Sequence, residues 1–232
     1  MNKIAIISDI HGNLPALEAV LNDIKEKGIN DIFCLGDLVG YYCFHNEVVS
    51  LIRERNIRCL LGNHDLAIIK NKGVIERSKT CTKILTWQLE TLTKENFEYL
   101  NTLPDKIEET IFEKNLFFVH AGLIDSIDEY IFDISAEYLE KNNFKQDVLI
   151  NGHTHLPNYK TFFNGKICFN PGSVGQPRNG DPRSSYLIID SNWNFEFVKI
   201  AYNVDLVIQS MKSNGFEDYI TQPLITGKKI GL

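Results

Sequence analysis

No apolar run in the 232 residues approaches the length that a membrane-spanning helix requires, roughly 20 residues. That absence excludes the helical membrane classes. Basic residues are also in short supply. Lys and Arg number 24 against 30 Asp and Glu, for a formal charge of −6. The chain therefore lacks the electropositive stripe of a long nucleic-acid track, which leaves room only for a short nucleotide in a small pocket. Paired cysteines are missing too. Cys34, Cys43, Cys59, Cys81 and Cys168 are five, scattered, with no CxxC spacing. They read as small buried hydrophobes in a reducing compartment rather than a disulfide framework. The opening MNKIAIISDIHGN has too short an apolar stretch for a secretory signal, so a cytoplasmic protein is expected. There are no repeats and no low-complexity segment.

What the chain does have is a sheet-forming pattern. Ile4-Ala5-Ile6-Ile7 is continuously apolar, as in a strand buried on both faces. Asn13 and Pro15 open a helix with its stripe at Leu14, Leu17, Val20, Leu21 and Ile24, and Gly28 stops it. A strand at Ile32–Leu35, a helix at Glu47–Arg55 and a strand at Ile57–Leu61 complete a β-α-β-α-β unit. That unit predicts a parallel sheet with right-handed crossovers.

Residues 66–103 show no strand pattern. Cys81, Ile84, Leu85, Leu89 and Leu92 have helical spacing, and Phe97 and Leu100 mark a further short helix ended by Pro104. The stretch reads as a helical insertion or cap beside the active edge, or as helices that cover the sheet. Strands are expected again at Lys106–Ile111 and Leu116–Val119, joined as a hairpin, then a helix at Ser135–Asn143 and a strand at Val148–Ile150. The last third reads as antiparallel, with strands at Asn158–Phe163, Ile167–Asn170, Ser185–Ile189 and Phe195–Ile200 and turns at Asn164-Gly165 and Ser191-Asn192. A final helix is expected at Val204–Met211, and the tail to Leu232 carries no pattern. The expectation for 1–232 is one α/β domain.

Polar residues collect just past the predicted strand ends. They are Asp9 and His11, Asp37, Asn63 and His64, His120, and His153 and His155. Open α/β sheets build their sites at such carboxyl ends. An Asp before a helix is by itself usually a cap, and a single His at a strand end is more often structural. The whole set in order points instead to metal. Imidazole with carboxylate suits Mn, Fe, Ni or Zn better than Mg. Asp9, His11, Asp37, Asn63, His120, His153 and His155 are more ligands than one ion needs. Two ions that share one carboxylate would use them all and could clamp a phosphoryl group.

The strings DxH, GDLVG, GNHD, a lone His before Ala-Gly, and GHTH, in that order, resemble the calcineurin-like metallophosphoesterase superfamily. SDIHGN, GDLVGY, GNHD and NPGSVGQPR are similar to its small bacterial and archaeal phosphodiesterase branch, of YfcE-like and diadenosine tetraphosphate hydrolase-like enzymes. The resemblance covers about residues 4–190. It implies a four-layer α/β/β/α sandwich of two mixed sheets with flanking helices. It also implies that Asp9, His11 and His155 bind one divalent ion, that Asn63, His120 and His153 bind a second, and that Asp37 bridges them. Manganese is the first expectation, with Fe, Ni or Zn as alternatives. A hydroxide between the ions would attack phosphorus. His64 would not be a ligand but would donate a proton to the leaving oxygen, or a hydrogen bond to the phosphoryl group, as a general acid. Asp65 would either orient His64 and raise its pKa or simply cap the next helix.

Within the turn-rich Asn170–Arg178 stretch, Arg178 is expected to hold a non-scissile phosphate. Arg183 either does the same or is solvated. His45 reads as an ordinary surface or helix-start residue. The branch would be expected to carry something like GPDPNE after Tyr41, where this chain has Tyr42-Cys43-Phe44-His45-Asn46-Glu47. If that loop lines the pocket, its aromatics would stack on a base. The expected partner is a small phosphorylated substrate, nucleotide in type, with no long nucleic acid and no membrane. A homo-oligomer stays open. A phosphomonoesterase or protein phosphatase would use the same coordination sphere. A non-catalytic scaffold, like the retromer subunit that shares this fold, would not need His64 and all seven ligands intact.

Overall fold

The computed structural model describes residues 2–70 and 79–230. Residues 71–78 of the expected helical stretch, and the last two of the tail, lie outside the described residues.

The first sheet contains β1 (Lys3–Ile7), β2 (Asp31–Cys34), β3 (Arg58–Cys59), β9 (Ser184–Asp190) and β10 (Phe195–Ile200), in the order β10-β9-β1-β2-β3. β1, β2 and β3 are parallel, with α1 (Leu14–Glu26) and α2 (His45–Glu54) as crossovers. Asn13 caps α1 by accepting the Ala16 N–H, and Pro15 lies in the first turn, where its missing donor costs nothing. The second sheet contains β4 (Lys106–Ile111), β5 (Lys114–Val119), β6 (Val148–Ile150), β7 (Asn158–Thr161) and β8 (Ile167–Asn170), in the order β4-β5-β6-β8-β7.

Strand alternation explains the layering. Ile4 and Ile6 face one way from β1 and join Phe33, Leu116, Phe118, Val148 and Ile150 in a core between the sheets. Phe33 and Phe118 stack across that gap, centroids 4.4 Å apart. Ala5 and Ile7 face the other way and pack on Leu17, Val20, Val48 and Ile52 of α1 and α2. The second sheet turns Val119, Leu149 and Cys168 outward against Leu139 of α6 (Ala136–Lys141) and Phe144. The result is the α/β/β/α order of two mixed five-stranded sheets with flanking helices.

Two departures from the sequence reading are informative. The strands of the last third do not form one antiparallel unit. β7 and β8 are an antiparallel hairpin, but β8 runs parallel to β6, whereas β9 leaves for the first sheet and pairs antiparallel with β1. Alternating apolar residues identify a strand but not its partner. The tail is also structured. After α7 (Val204–Ser213), a 3-10 turn at Asp218–Thr221 and a short α8 (Pro223–Thr226) bury Ile220 and Leu224.

Between β3 and β4 the described residues are helical: α3 (Asn63–Lys70), α4 (Lys79–Thr91) and α5 (Lys94–Leu100). Leu85 and Leu100 join the outer core of the first sheet, while Ile84 joins the tail. Among the described residues, no helix is long and apolar enough to cross a membrane.

Candidate metal centre

The two sheets bring the carboxyl ends of β1, β2, β3, β5 and β6 to one edge. The loops there carry Asp9, His11, Asp37, His120, His153 and His155, and the first turn of α3 carries Asn63 and His64, all of them buried. Asp9, His11, Asp37, His153 and His155 have φ of 55°, 54°, 55°, 65° and 61°. L-residues avoid this left-handed region, so each such turn costs on the order of 1 kcal/mol and must be held by its surroundings. Cross-loop hydrogen bonds hold it. Ile10 and His11 both donate from their backbone to Asp37 O at 2.9 Å, and the Ser173 hydroxyl and Gly175 N–H donate to Asp9 O at 2.7 and 3.0 Å. The loops also approach so closely that a Cβ on Gly62 would collide with Asp37.

The histidine tautomers follow from backbone partners. His11 Nδ1 is 2.9 Å from Val39 O, His120 Nδ1 is 2.8 Å from Leu35 O, and His155 Nδ1 is 2.6 Å from Gln176 O. A carbonyl only accepts, so each Nδ1 carries the hydrogen and each Nε2 presents its lone pair. These lone pairs meet other acceptors. His11 Nε2 is 3.2 Å from His155 Nε2, and His120 Nε2 is 3.2 Å from Asn63 Oδ1. Asn63 is oriented that way by its own Nδ2, which donates to Asp128 Oδ1 at 3.1 Å. Burial, with Arg178 nearby, pushes His155 well below its ordinary pKa, so a second proton on its own ring does not relieve the repulsion there. A cation between the acceptors does.

The carboxylates complete the set. Asp9 Oδ2 accepts from the Ser8 hydroxyl at 2.6 Å and His153 N at 3.1 Å. Asp9 Oδ1 is buried without a hydrogen bond, 3.3 Å from His155 Nε2. Burial above all raises the Asp9 carboxyl to about 6. Asp37 Oδ1 accepts from His64 N at 2.8 Å, while Oδ2 lies 3.6 Å from His11 Nε2 and 3.5 Å from His120 Nε2, between the two groups. Ligand atoms come within 4.8 Å of one another in three triads: Asp9, His11 and His155; His11, Asp37 and His64; Asp37, His120 and His153. A divalent transition metal fits this buried mixture of imidazole, carboxylate and amide oxygen.

The structure moves several of the expected roles. Asp65 does not orient the His64 ring. Its oxygens accept from four backbone amides, of Asp37 at 2.8 Å, Leu38 at 3.0 Å, Val39 at 3.1 Å and Gly62 at 3.0 Å. The Gly62 bond is the reach-back half of a capping box, and the others pin the Asp37 loop to α3. His64 instead has Cys81 Sγ 3.9 Å from its Nδ1, and its ring lies 4.8 Å from the His11 ring and 5.0 Å from that of Tyr41.

Arg178 reaches the same edge, where Nη2 donates to Tyr41 OH at 3.2 Å and Gln176 Oε1 at 2.9 Å. Its Nε is buried without a partner. Arg183 is taken up by Asp181 on the surface, Nη2 to Oδ2 at 2.7 Å. The Tyr42-Cys43-Phe44 loop does not face the site. Tyr42 is fully buried, and the loop packs on Met211, Phe216, Ile220 and Leu224 of the tail, so its aromatics are not a base platform. His45 begins α2 but is buried, not a surface residue.

Sequence reasoning missed Tyr41 as a site residue, along with Asp128 and Tyr130. The Tyr130 ring centroid is 3.9 Å from that of His153, and Asp128 Oδ1 is 3.6 Å from His153 Nε2. Both lie in a loop without periodicity or motif, which offered no signal. It missed Gln88 as well, which accepts from Gly40 N and donates to Tyr42 O, both at 2.7 Å, and so fixes the loop that carries Tyr41.

A model of the calcineurin-like phosphoesterase superfamily domain matches residues 2–193. The chain is 36% identical to the uncharacterized protein MJ0912 of Methanocaldococcus jannaschii, over 98% of this chain and 99% of that one. It is 31% identical to a metallophosphoesterase of known structure from Sphaerobacter thermophilus, with a TM-score of 0.83 over 97% and 99% of the two chains. Phosphodiesterase YfcE of Escherichia coli is 29% identical, over 83% of this chain and 89% of YfcE.

Proposed function

Because the chain belongs to the calcineurin-like phosphoesterase superfamily, we propose that it is a two-metal phosphodiesterase or pyrophosphohydrolase that acts on a small nucleotide-type substrate. The observation that carries this reading is the set of buried acceptors aimed at one another, His11 at His155 and His120 at Asn63, with Asp37 between them. Asp9, His11 and His155 would hold one divalent ion, Asn63, His120 and His153 the other, and Asp37 both. Manganese is the first choice among Mn, Fe, Ni and Zn. The ions would neutralise charge on the phosphoryl oxygens and supply an activated water.

The chain's own groups do the rest. Backbone carbonyls keep the imidazoles in the ligating tautomer. Asp65 fixes the Asp37 loop. His64 gives a proton to the leaving oxygen. Arg178, steadied by Tyr41 and Gln176, pairs with the phosphate that is not cleaved.

The test compares bis-p-nitrophenyl phosphate with p-nitrophenyl phosphate, on chelated and then manganese-loaded protein, with Asp37→Asn as the control. Manganese-dependent cleavage that favours the diester and is lost in D37N is expected. Preference for the monoester would transfer the reading to a phosphomonoesterase, and full activity in D37N would overturn the mechanism.

A further inference from the structure

The loop between β5 and α6 leaves aromatic side chains in the open beside the buried centre. Tyr130 is 49% exposed and Phe132 is 65% exposed. They form a strip that starts at the centre itself. The Tyr130 ring sits 3.9 Å from the His153 ring, and Phe132 stacks on Tyr130 at 6.0 Å with 23° between planes. Solvent-exposed aromatics cost burial energy that the fold does not recover, and a row of them next to a reaction centre is a ready surface for a flat ligand.

Phe132 also walls a cavity of about 320 Å³. Its floor is the loop that carries the histidines, through Thr154, which lies between His153 and His155. Ile131 and Phe169 give it apolar walls, while Asn158 and Asn179 bring amides to it. This size is at the small end of ligand pockets, roughly 300–1,000 Å³, and apolar walls with a few amides are the usual lining. Asn179 follows Arg178 directly. One short segment therefore connects the guanidinium beside the centre to the cavity, and Arg178 lies near both the Tyr41 and the Tyr130 hydroxyls.

The geometry points to this cavity as the seat of a nucleobase. The base stacks on Phe132, which Tyr130 backs, and meets the amides of Asn158 and Asn179, while the attached phosphate lies at the centre beside Arg178. The assignment rests on the phosphodiesterase reading above and gives it a specificity element, the 130–132 strip. Phe132 is the residue to test, because it is exposed and its ring stacks on Tyr130, whereas Tyr130 itself touches His153.

The experiment uses two diesters with the same leaving group, p-nitrophenyl thymidine 5′-phosphate and ethyl p-nitrophenyl phosphate, on manganese-loaded wild type and Phe132→Ala. Wild type is expected to prefer the nucleoside ester. In F132A the ratio of kcat/KM between the two esters should fall about tenfold, through KM rather than kcat, in keeping with the loss of one stacked base. An unchanged ratio overturns the assignment. A parallel titration of metal-free wild type and F132A with ethenoadenosine 5′-monophosphate, read by fluorescence anisotropy, needs no turnover. If wild type hydrolyses neither ester but F132A weakens this binding about tenfold, the pocket stands and the phosphodiesterase reading falls. If both esters are cleaved and F132A changes neither the ratio nor the binding, the reverse holds.

Discussion

At the start of α2, His45 is sealed from solvent with both ring nitrogens satisfied. Nδ1 donates to Cys43 O at 3.1 Å, Nε2 faces the Asn46 amide nitrogen at 3.4 Å and the Thr91 hydroxyl at 3.1 Å, and Trp87 packs edge-on against the ring. Burial lowers its pKa to about 4, so it is neutral. At the sheet edges His11, His120 and His155 are equally buried, and their Nδ1 atoms are equally well bonded. Only the second nitrogen differs. At His45 it finds a donor, whereas in the cluster it finds another acceptor. Burial, residue type and a satisfied Nδ1 are thus common to a packing histidine and the three proposed ligands, and the partner of Nε2 separates them.

The sharpest way to break this comparison is His120→Ala. It should lower bound metal from two ions to about one and cut diester hydrolysis on the order of 10³-fold. Two ions retained by elemental analysis would remove His120 from the ligand set. Next in size is His64→Ala, expected to keep both ions while the rate falls on the order of 10²-fold. Loss of metal there would make His64 a ligand, which its place in a triad with His11 and Asp37 leaves open to test.

His45→Ala probes the other side. Metal content and KM should hold, while the denaturant midpoint reports a loss of about 2 kcal/mol, roughly thirtyfold in the folding equilibrium. The sign with pH is definite. The folded pKa of about 4 lies below the ordinary 6.5, so the unfolded chain protonates first. The stability from the neutral ring is complete above pH 6.5 and is lost as pH falls toward 4. The gap between wild type and variant should close across that window, and a constant gap would contradict the assignment.

Asp9 gives an effect of opposite sign. Its folded pKa of about 6 lies above 3.8, so its ionisation in the metal-free protein removes stability as pH rises between those values. Metal binding needs the carboxylate, so affinity should weaken about tenfold per pH unit below 6, measured by calorimetry.

Much of the centre was legible because ligand chemistry restricts residue type, and strand ends restrict place. Asp9, His11, Asp37, Asn63, His120, His153 and His155 could be gathered from five separate segments without knowing how the sheets pair. What the sequence concealed was everything decided by contact. The side-chain pattern of β9 suits either sheet, and only packing assigns it to β1. Asp65 beside His64 in the chain invited a pairing, but a helix turns consecutive residues to different sides, and the Asp65 carboxylate points to amides. The aromatic Tyr42–Phe44 loop and the featureless tail are two halves of one apolar contact, and neither half announces the other.

The left-handed turns at Asp9, His11, Asp37, His153 and His155 bear on how this centre could be moved to another scaffold. Copying the side chains onto regular strand or helix positions would aim them elsewhere, since the direction of each Cα–Cβ bond is set by a backbone that regular elements do not adopt. The portable unit is the turn together with the carbonyls and hydroxyls that restrain it. A designer who grafts the loops between two sheets would inherit the chemistry, whereas one who grafts only the residues would inherit an alphabet without its grammar.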